Sequence, residues 1–272
     1  MMPTAAERAA TFLHLHVPGE PLLMPNAHDA GIAKMLAGMG FAAVATTSAG
    51  QSATLGRNDG SLTLQEALDH ASGLVSAVDV PVSSDFENGY ADDPEDVAAS
   101  VTAAVDTGLA GVSIEDYLGA TRPGFYPLEL AAERVAAAAE AAHGGDTRVV
   151  LTARAESALY GDVDFADIEP RLNAYRDAGA DVLYVPGLSD PADIKRVIDI
   201  AGIPVNVLTN PRGPTVPELA DLGAARISVG GIFTLVALGA IAEAAEELMG
   251  PGTFGFAQLA RRGRQATNAV FD

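Results

Sequence analysis

Apolar residues fall along this chain in short, almost unbroken runs that alternate with longer amphipathic stretches rich in alanine. Eight short runs, at 22–25, 42–47, 80–86, 111–115, 149–153, 182–185, 204–208 and 226–229, have the length and continuity of parallel strands buried on both faces. The stretches between them carry helical spacing, most clearly at 64–77, 94–107, 128–142, 165–178, 190–200 and 216–222, with a further helix at 232–249. Boundary residues agree with this division. Thr63 followed by Glu66 reads as a capping box, and Asp93-Pro94 and Asp190-Pro191 each place an N-cap before a proline at the first helical position. The phrases AGMGFAAV, DTGLAGV, DAGADVL and DLGAARI repeat one helix-to-strand turn, with Gly40, Gly108, Gly179 and Gly223 ending the helices. Eight β/α units without an intervening linker predict one α/β domain over 1–272, a closed (β/α)8 TIM barrel, with 232–272 as a C-terminal helical extension that packs on a neighbouring subunit. No GxGxxG follows the first strand, so a dinucleotide-binding fold loses its main support.

Composition narrows the chemistry. The chain has no cysteine, which excludes disulfides, thiolate nucleophiles and cysteine-based zinc sites. Its 36 acidic and 16 basic residues leave a formal charge of −20, a field that repels phosphate backbones and argues against nucleic acid as a partner. An anionic substrate then needs local positive charge from a metal or an arginine. No apolar run reaches the roughly 18 residues that span a bilayer, and the start lacks a basic segment followed by a long apolar one, so no membrane association and a cytoplasmic location are expected.

In such a barrel the chemistry belongs at the C-terminal ends of the strands. The third strand ends in Ser83-Ser84-Asp85-Phe86-Glu87, and strand alternation predicts Asp85 and Glu87 on one side. The fourth ends in Ile114-Glu115-Asp116. Inward-facing carboxylates on adjacent strands repel, and a hard divalent cation with oxygen ligands relieves that repulsion, so Asp85, Glu87 and Glu115 are the candidate metal ligands. Arg154, at the end of the fifth strand, can pair with Glu115 or grip a substrate carboxylate bidentately. Thr47, Ser48, Ala49 and Gly50 at the second strand end form a candidate anion nest of hydroxyls and backbone N–H groups. Asn206 and Thr209 are candidate substrate hydrogen-bonders, and Asp59 by itself reads as a turn residue. Asn26 could line the mouth, whereas His28-Asp29 reads as a helix start; His14, His16, His70 and His143 fall outside strand ends and receive no chemical role.

The segments PNAHDAGIAKMLAGMGFAAVATTSAGQSATLG, SSDFENGYADDPEDV, GVSIEDYLG, LTARAESAL and PVNVLTNPRGPTVPELADLGAARISVGG, in this order, resemble the isocitrate lyase and phosphoenolpyruvate mutase superfamily over roughly residues 20–250. That resemblance implies a (β/α)8 barrel with its last helix often exchanged between the subunits of a dimer or tetramer. It implies Mg2+, or Mn2+ in its place, held by Asp85, Glu87 and Glu115, partly through water, with Asp59 near the water shell. It also implies a substrate carboxylate or phosphonate on Ser48, Ala49 and Gly50, contact with Arg154, and an enolate of a 2-oxo acid.

The chain departs from the family's lyases in the loop after strand four. Those enzymes carry a Lys-Lys-Cys-Gly type of motif whose cysteine is the acid or base; residues 116–126 here contain neither lysine nor cysteine. Thr121 and Arg122 are the polar candidates in that loop, with Tyr117 and Tyr126 as proton donors able to protonate an enolate but poorly suited to act as bases. The reading that fits is a Mg2+-dependent carbon–carbon lyase, by retro-aldol cleavage or decarboxylation, on a small 2-oxo or 2-hydroxy carboxylic acid. The alternatives are a phosphonate enzyme of the mutase or phosphonopyruvate hydrolase type, for which Arg122 would be the extra cation, and a non-catalytic barrel that keeps the metal site.

Overall fold

The computed structural model describes residues 3–271. The strands are β1 (Leu22–Met24), β2 (Val44–Ala45), β3 (Val82–Asp85), β4 (Gly111–Glu115), β5 (Val150–Arg154), β6 (Val182–Tyr184), β7 (Val205–Leu208) and β8 (Arg226–Ser228). They pair in parallel in the order β1-β8-β7-β6-β5-β4-β3-β2. A bridge from Asn26 to Ala45, with the Ala27 N–H donating to the Ala45 carbonyl at 2.7 Å, brings the two ends of the sheet together into a barrel.

Around the barrel run the helices α1 (Ala5–His14), α2 (Ala30–Gly38), α3 (Ser48–Thr54), α4 (Leu64–Ala77), α5 (Pro94–Asp106) and α6 (Leu128–His143). They are followed by α7 (Ser157–Tyr160), α8 (Phe165–Asp177), α9 (Pro191–Ala201), α10 (Val216–Leu222), α11 (Ile232–Met249) and α12 (Ala257–Asn268). The caps explain most starts. Thr63 and Glu66 form the expected capping box, and Asp190 accepts from the Ala192 N–H at 2.7 Å. Asp93 occupies the cap position of α5 without a side-chain bond, so Pro94 and the acidic first turn set that start instead. Gly40, Gly108, Gly179 and Gly223 all sit at positive φ, between 86° and 103°, which makes the repeated helix-to-strand turn a left-handed exit that other residues would strain to adopt.

Four helices escaped the periodicity reading: α1, α3, the single-turn α7 and α12. α1 packs across the N-terminal end of the barrel, where Phe12 is fully buried against Leu22, Ala43, Val150 and Val182. Gly111 makes room for it: a Cβ there would lie 2.5 Å from the Phe12 ring and 2.9 Å from Ser83 Oγ. α3 begins where a loop was expected, and α12 follows the C-terminal turn.

The barrel interior is unusual in composition. Where large branched residues commonly fill the layers, this barrel buries Ser83, Ser113, Thr152, Asn206, Ser228 and Arg226.

Candidate active site

A cavity of 370 Å³ opens at the C-terminal ends of the strands and runs down into the barrel. Its size suits a small molecule. It is deep because the small side chains Ala45, Ser83 and Ser113 line its wall in place of branched ones.

Arg154 is the centre of its charge pattern. β4 and β5 pair with Glu115 opposite Arg154, so both side chains point to the same face. The guanidinium meets Asp85 at 2.5 Å, Glu115 at 3.0 Å and Glu156 at 2.7 Å. Asp85 is held in turn: its Oδ2 accepts from the Ser48 N–H at 3.0 Å and from Ser48 Oγ at 3.1 Å, and its own N–H donates to Thr46 Oγ1 at 2.9 Å. Two of the three acids expected to need a dication, Asp85 and Glu115, therefore share a guanidinium already.

That guanidinium does not balance them all. Glu87 and Asp59 line the same cavity. Burial, followed by the negative charges of Asp85 and Asp59, pushes the Glu87 carboxyl up to about 7. Burial and then Asp85 raise Asp59 as well. Burial lifts Glu115 well above the usual carboxylate range despite Arg154, with Glu156, Asp85 and Glu87 adding to the rise. Among the described residues no three histidine, aspartate or glutamate side chains stand together at metal-ligand spacing. The donor chemistry still fits a hard divalent cation: carboxylate oxygens predominate, and their charge exceeds that of Arg154.

The structure revises several sequence expectations. β3 ends at Asp85, so Glu87 does not share a strand face with it; Glu87 reaches the cavity through a left-handed backbone, φ 46°, followed by Tyr90 at φ 56°. Tyr90 donates to Glu87 Oε1 at 3.4 Å. Thr47 is the N-cap of α3 and accepts from the Gly50 N–H at 3.3 Å, and the Ser48 N–H goes to Asp85, so the proposed nest is a helix N-terminus with two N–H groups already used. Thr47, Ser48 and Ala49 line the cavity, whereas Gly50 lies outside its lining. Gly50 is needed for packing, since a Cβ would come within 2.6 Å of Thr234 Oγ1. Asp116 turns away to Arg171 at 3.0 Å and Tyr175 at 2.6 Å, anchoring α8.

The loop after β4 splits in two. Tyr117, Gly119 and Ala120 line the cavity, and Tyr117 stacks on Tyr160 at 4.1 Å with 13° between the rings. Thr121 and Arg122 stand outside the lining; Arg122 is exposed and pairs with Asp92 at 2.5 Å. Tyr126 is buried, donating to the same Asp92 at 2.5 Å, which fastens the base of the loop. Asn26 donates to the Thr46 carbonyl at 2.7 Å and accepts from the Gly230 N–H at 2.8 Å, knitting β1 to its neighbours, and Asn206 lines the wall; Thr209 lies outside the lining. Residues not foreseen include Tyr160, Tyr184, Glu156 and Arg226. Of these, Arg226 left a signal, a charge at the first position of a short strand run.

The phosphoenolpyruvate phosphomutase family model matches residues 12–249. An uncharacterised Mycobacterium tuberculosis protein is 33% identical over 236 residues, 86% of this chain and 87% of that one. The 2,3-dimethylmalate lyase of Eubacterium barkeri is 31% identical over 182 residues, 65% of this chain and 62% of that enzyme. The crystal structure of a Burkholderia cenocepacia protein provisionally called a lyase/mutase superposes with a TM-score of 0.93 at 42% identity, covering 98% of this chain and 97% of that one. The eight-stranded barrel, its carboxylate-rich mouth and these matches lead to one assignment: the chain belongs to the phosphoenolpyruvate phosphomutase family, within the isocitrate lyase and phosphoenolpyruvate mutase superfamily.

Proposed function

We propose that this protein is a Mg2+-dependent carbon–carbon lyase that cleaves or decarboxylates a small 2-oxo or 2-hydroxy carboxylic acid. The observation that carries the reading is the surplus of carboxylate around Arg154 at the cavity mouth. Asp85, Glu87 and Glu115 would hold the cation, with Asp59 beside them. Bound there, Mg2+ supplies Lewis-acid stabilisation of the charge left on an enolate oxygen.

The chain's own residues do the rest. Arg154, fixed by three carboxylates, presents an oriented positive charge beside the reacting acid. Ser48 commits its N–H and its hydroxyl to Asp85 Oδ2 at the N-terminus of α3, which fixes that carboxylate beside Arg154. Tyr117 and Tyr160 close one side of the cavity and bring phenol groups that can deliver a proton. Burial raises Tyr160 above the usual phenol range, with Glu115 and Glu156 adding to it, which keeps that hydroxyl protonated.

The phosphonate alternative called on Arg122 for its second cation. Arg122 pairs with Asp92 outside the cavity, which favours carbon–carbon chemistry. The polar cavity with its intact acid cluster favours an enzyme over a non-catalytic barrel. A homo-oligomer, dimer or tetramer, is part of the same reading, with α11 as its contact helix. The test is a panel of 2-oxo and 2-hydroxy acids with phosphonopyruvate, in Mg2+, monitored for pyruvate and phosphate. Pyruvate without phosphate supports the lyase; pyruvate with phosphate from phosphonopyruvate overturns it in favour of the hydrolase.

A further inference from the structure

Two arginines line the cavity, and they differ in one respect. Arg154 is paired with three carboxylates. Among the described residues Arg226 is paired with none. It sits at the start of β8, only 2% exposed, and each partner is neutral: Nε donates to Asn206 Oδ1 at 2.9 Å, Nη1 to His16 Nε2 at 3.0 Å and Nη2 to Thr152 Oγ1 at 3.0 Å. The Phe12 ring lies 6.0 Å beneath it. His16 cannot supply a negative charge, and its Nδ1 is bonded to the Phe12 carbonyl at 2.7 Å, which leaves Nε2 as the acceptor. Three of five guanidinium N–H groups are thereby used, and two remain.

A buried cation without a counter-ion is costly, and a fold retains one where something else supplies the charge. The group's position says where that charge would come from. Arg226 forms the floor of a shaft whose wall is hydroxyl and amide: Ser83, Ser113, Asn206 and Ser228 all line it. Thr152, which receives Nη2, lies two residues before Arg154 on the same strand, so both side chains face the same way. That spacing is about 6.6 Å along the strand. The Arg226 guanidinium therefore lies deeper than the mouth, where the tail of a short diacid held at the mouth by its head would point.

We propose that Arg226 is a specificity-determining residue that binds the second carboxylate of a small 2-hydroxy or 2-oxo dicarboxylic acid at the floor of the barrel. This rests on the reading of the mouth as the seat of the acid's functional head. A purely structural Arg226, tying His16 after α1 to β5 and β7, would support folding but would not distinguish one ligand tail from another.

Malate and 2-hydroxybutyrate share the head and the chain length and differ in the fourth carbon, a carboxylate against a methyl. Calorimetric titration of the protein in Mg2+ buffer with each acid reads the difference. Malate is expected to bind at least about tenfold more tightly. Arg226→Met should remove that gap while leaving 2-hydroxybutyrate affinity within about threefold. Equal affinities in the unaltered protein overturn the proposal, as does a Met variant that keeps the gap. Should the Met variant fail to fold, Arg226→Lys decides: a narrowed gap supports the fork-shaped grip, and an unchanged gap overturns it. If neither acid binds, the reading of the mouth falls together with this one. If both bind equally, the mouth stands and only the Arg226 assignment is lost.

Discussion

Glu115 and Arg154 sit opposite one another across the β4–β5 ladder, and their side chains meet at 3.0 Å at the barrel mouth. Register alone delivers the pair: any slip by one residue would turn one partner outward. Because Asp85 and Glu156 share the same guanidinium, removing it strands three buried or half-buried acids at once. Arg154→Met should lower unfolding stability by about 3–5 kcal/mol, measured by urea denaturation. Arg154→Lys keeps the charge but loses the fork, so kcat should drop at least about tenfold while the fold survives. Unchanged kinetics in the lysine variant would show the group to be structural only.

Glu87 is the acid least compensated in the cavity, with no arginine bonded to it and Asp85 and Asp59 acting against its charge. Glu87→Gln and Asp85→Asn should each remove most of the Mg2+ heat in a titration and most of the turnover. A shift in melting temperature on adding Mg2+ should vanish with them, since a ligand that binds only the native state stabilises it. Full Mg2+ stabilisation in both variants would contradict the ligand assignment.

His16 gives the stability a pH dependence. Burial, then the neighbouring Arg226 charge, lowers it from 6.5 to about 3. Above pH 6.5 both folded and unfolded chains carry a neutral imidazole and the group contributes nothing to the slope. Below it the unfolded chain takes up a proton that the native one refuses, so stability falls as pH drops from 6.5 towards 3. At pH 5 the loss from this residue is about 2 kcal/mol. Urea titrations at pH 7.5 and pH 5 should show it, and His16→Gln should flatten the difference by that amount. An identical pH slope in the variant would refute the assignment.

α11 carries an apolar surface that the barrel does not cover: Leu235, Ile241 and Met249 are 66%, 64% and 81% exposed, and Thr234 alone is buried. Monomers seldom leave such a patch in water. Light scattering should therefore give a mass that is a multiple of 27.8 kDa, and Leu235→Glu with Ile241→Glu should shift it towards a single chain. A protein that is monomeric at high concentration would rule out α11 as the contact helix.

Much of this was legible in the residue pattern, and the parts that were not have physical reasons. Strands of a parallel barrel are apolar on both faces, so their runs stand out, and the glycine exits of four helices repeat almost letter for letter. The positions of Asp85, Glu115 and Arg154 follow from counting to strand ends. Glu87 reached the cavity for a different reason than alternation, because a left-handed turn replaced the last strand residues. α3 was hidden because Ser48-Ala49-Gly50 reads as a loop until Thr47 is seen to cap it. Arg226 could not be placed from sequence: its three neutral partners come from distant segments, His16, Thr152 and Asn206, and only the closed barrel brings them together.

Phe12 gives the barrel a stopper. Its ring, seated against Gly111 and the lowest strand residues, fills the N-terminal end of the barrel beneath the cavity. Were a molecule to be split there as proposed, the fragment nearer the mouth would leave before the one lying deeper, against Arg226. Product order would then be dictated by the plumbing of the barrel, whatever the relative affinities of the two fragments.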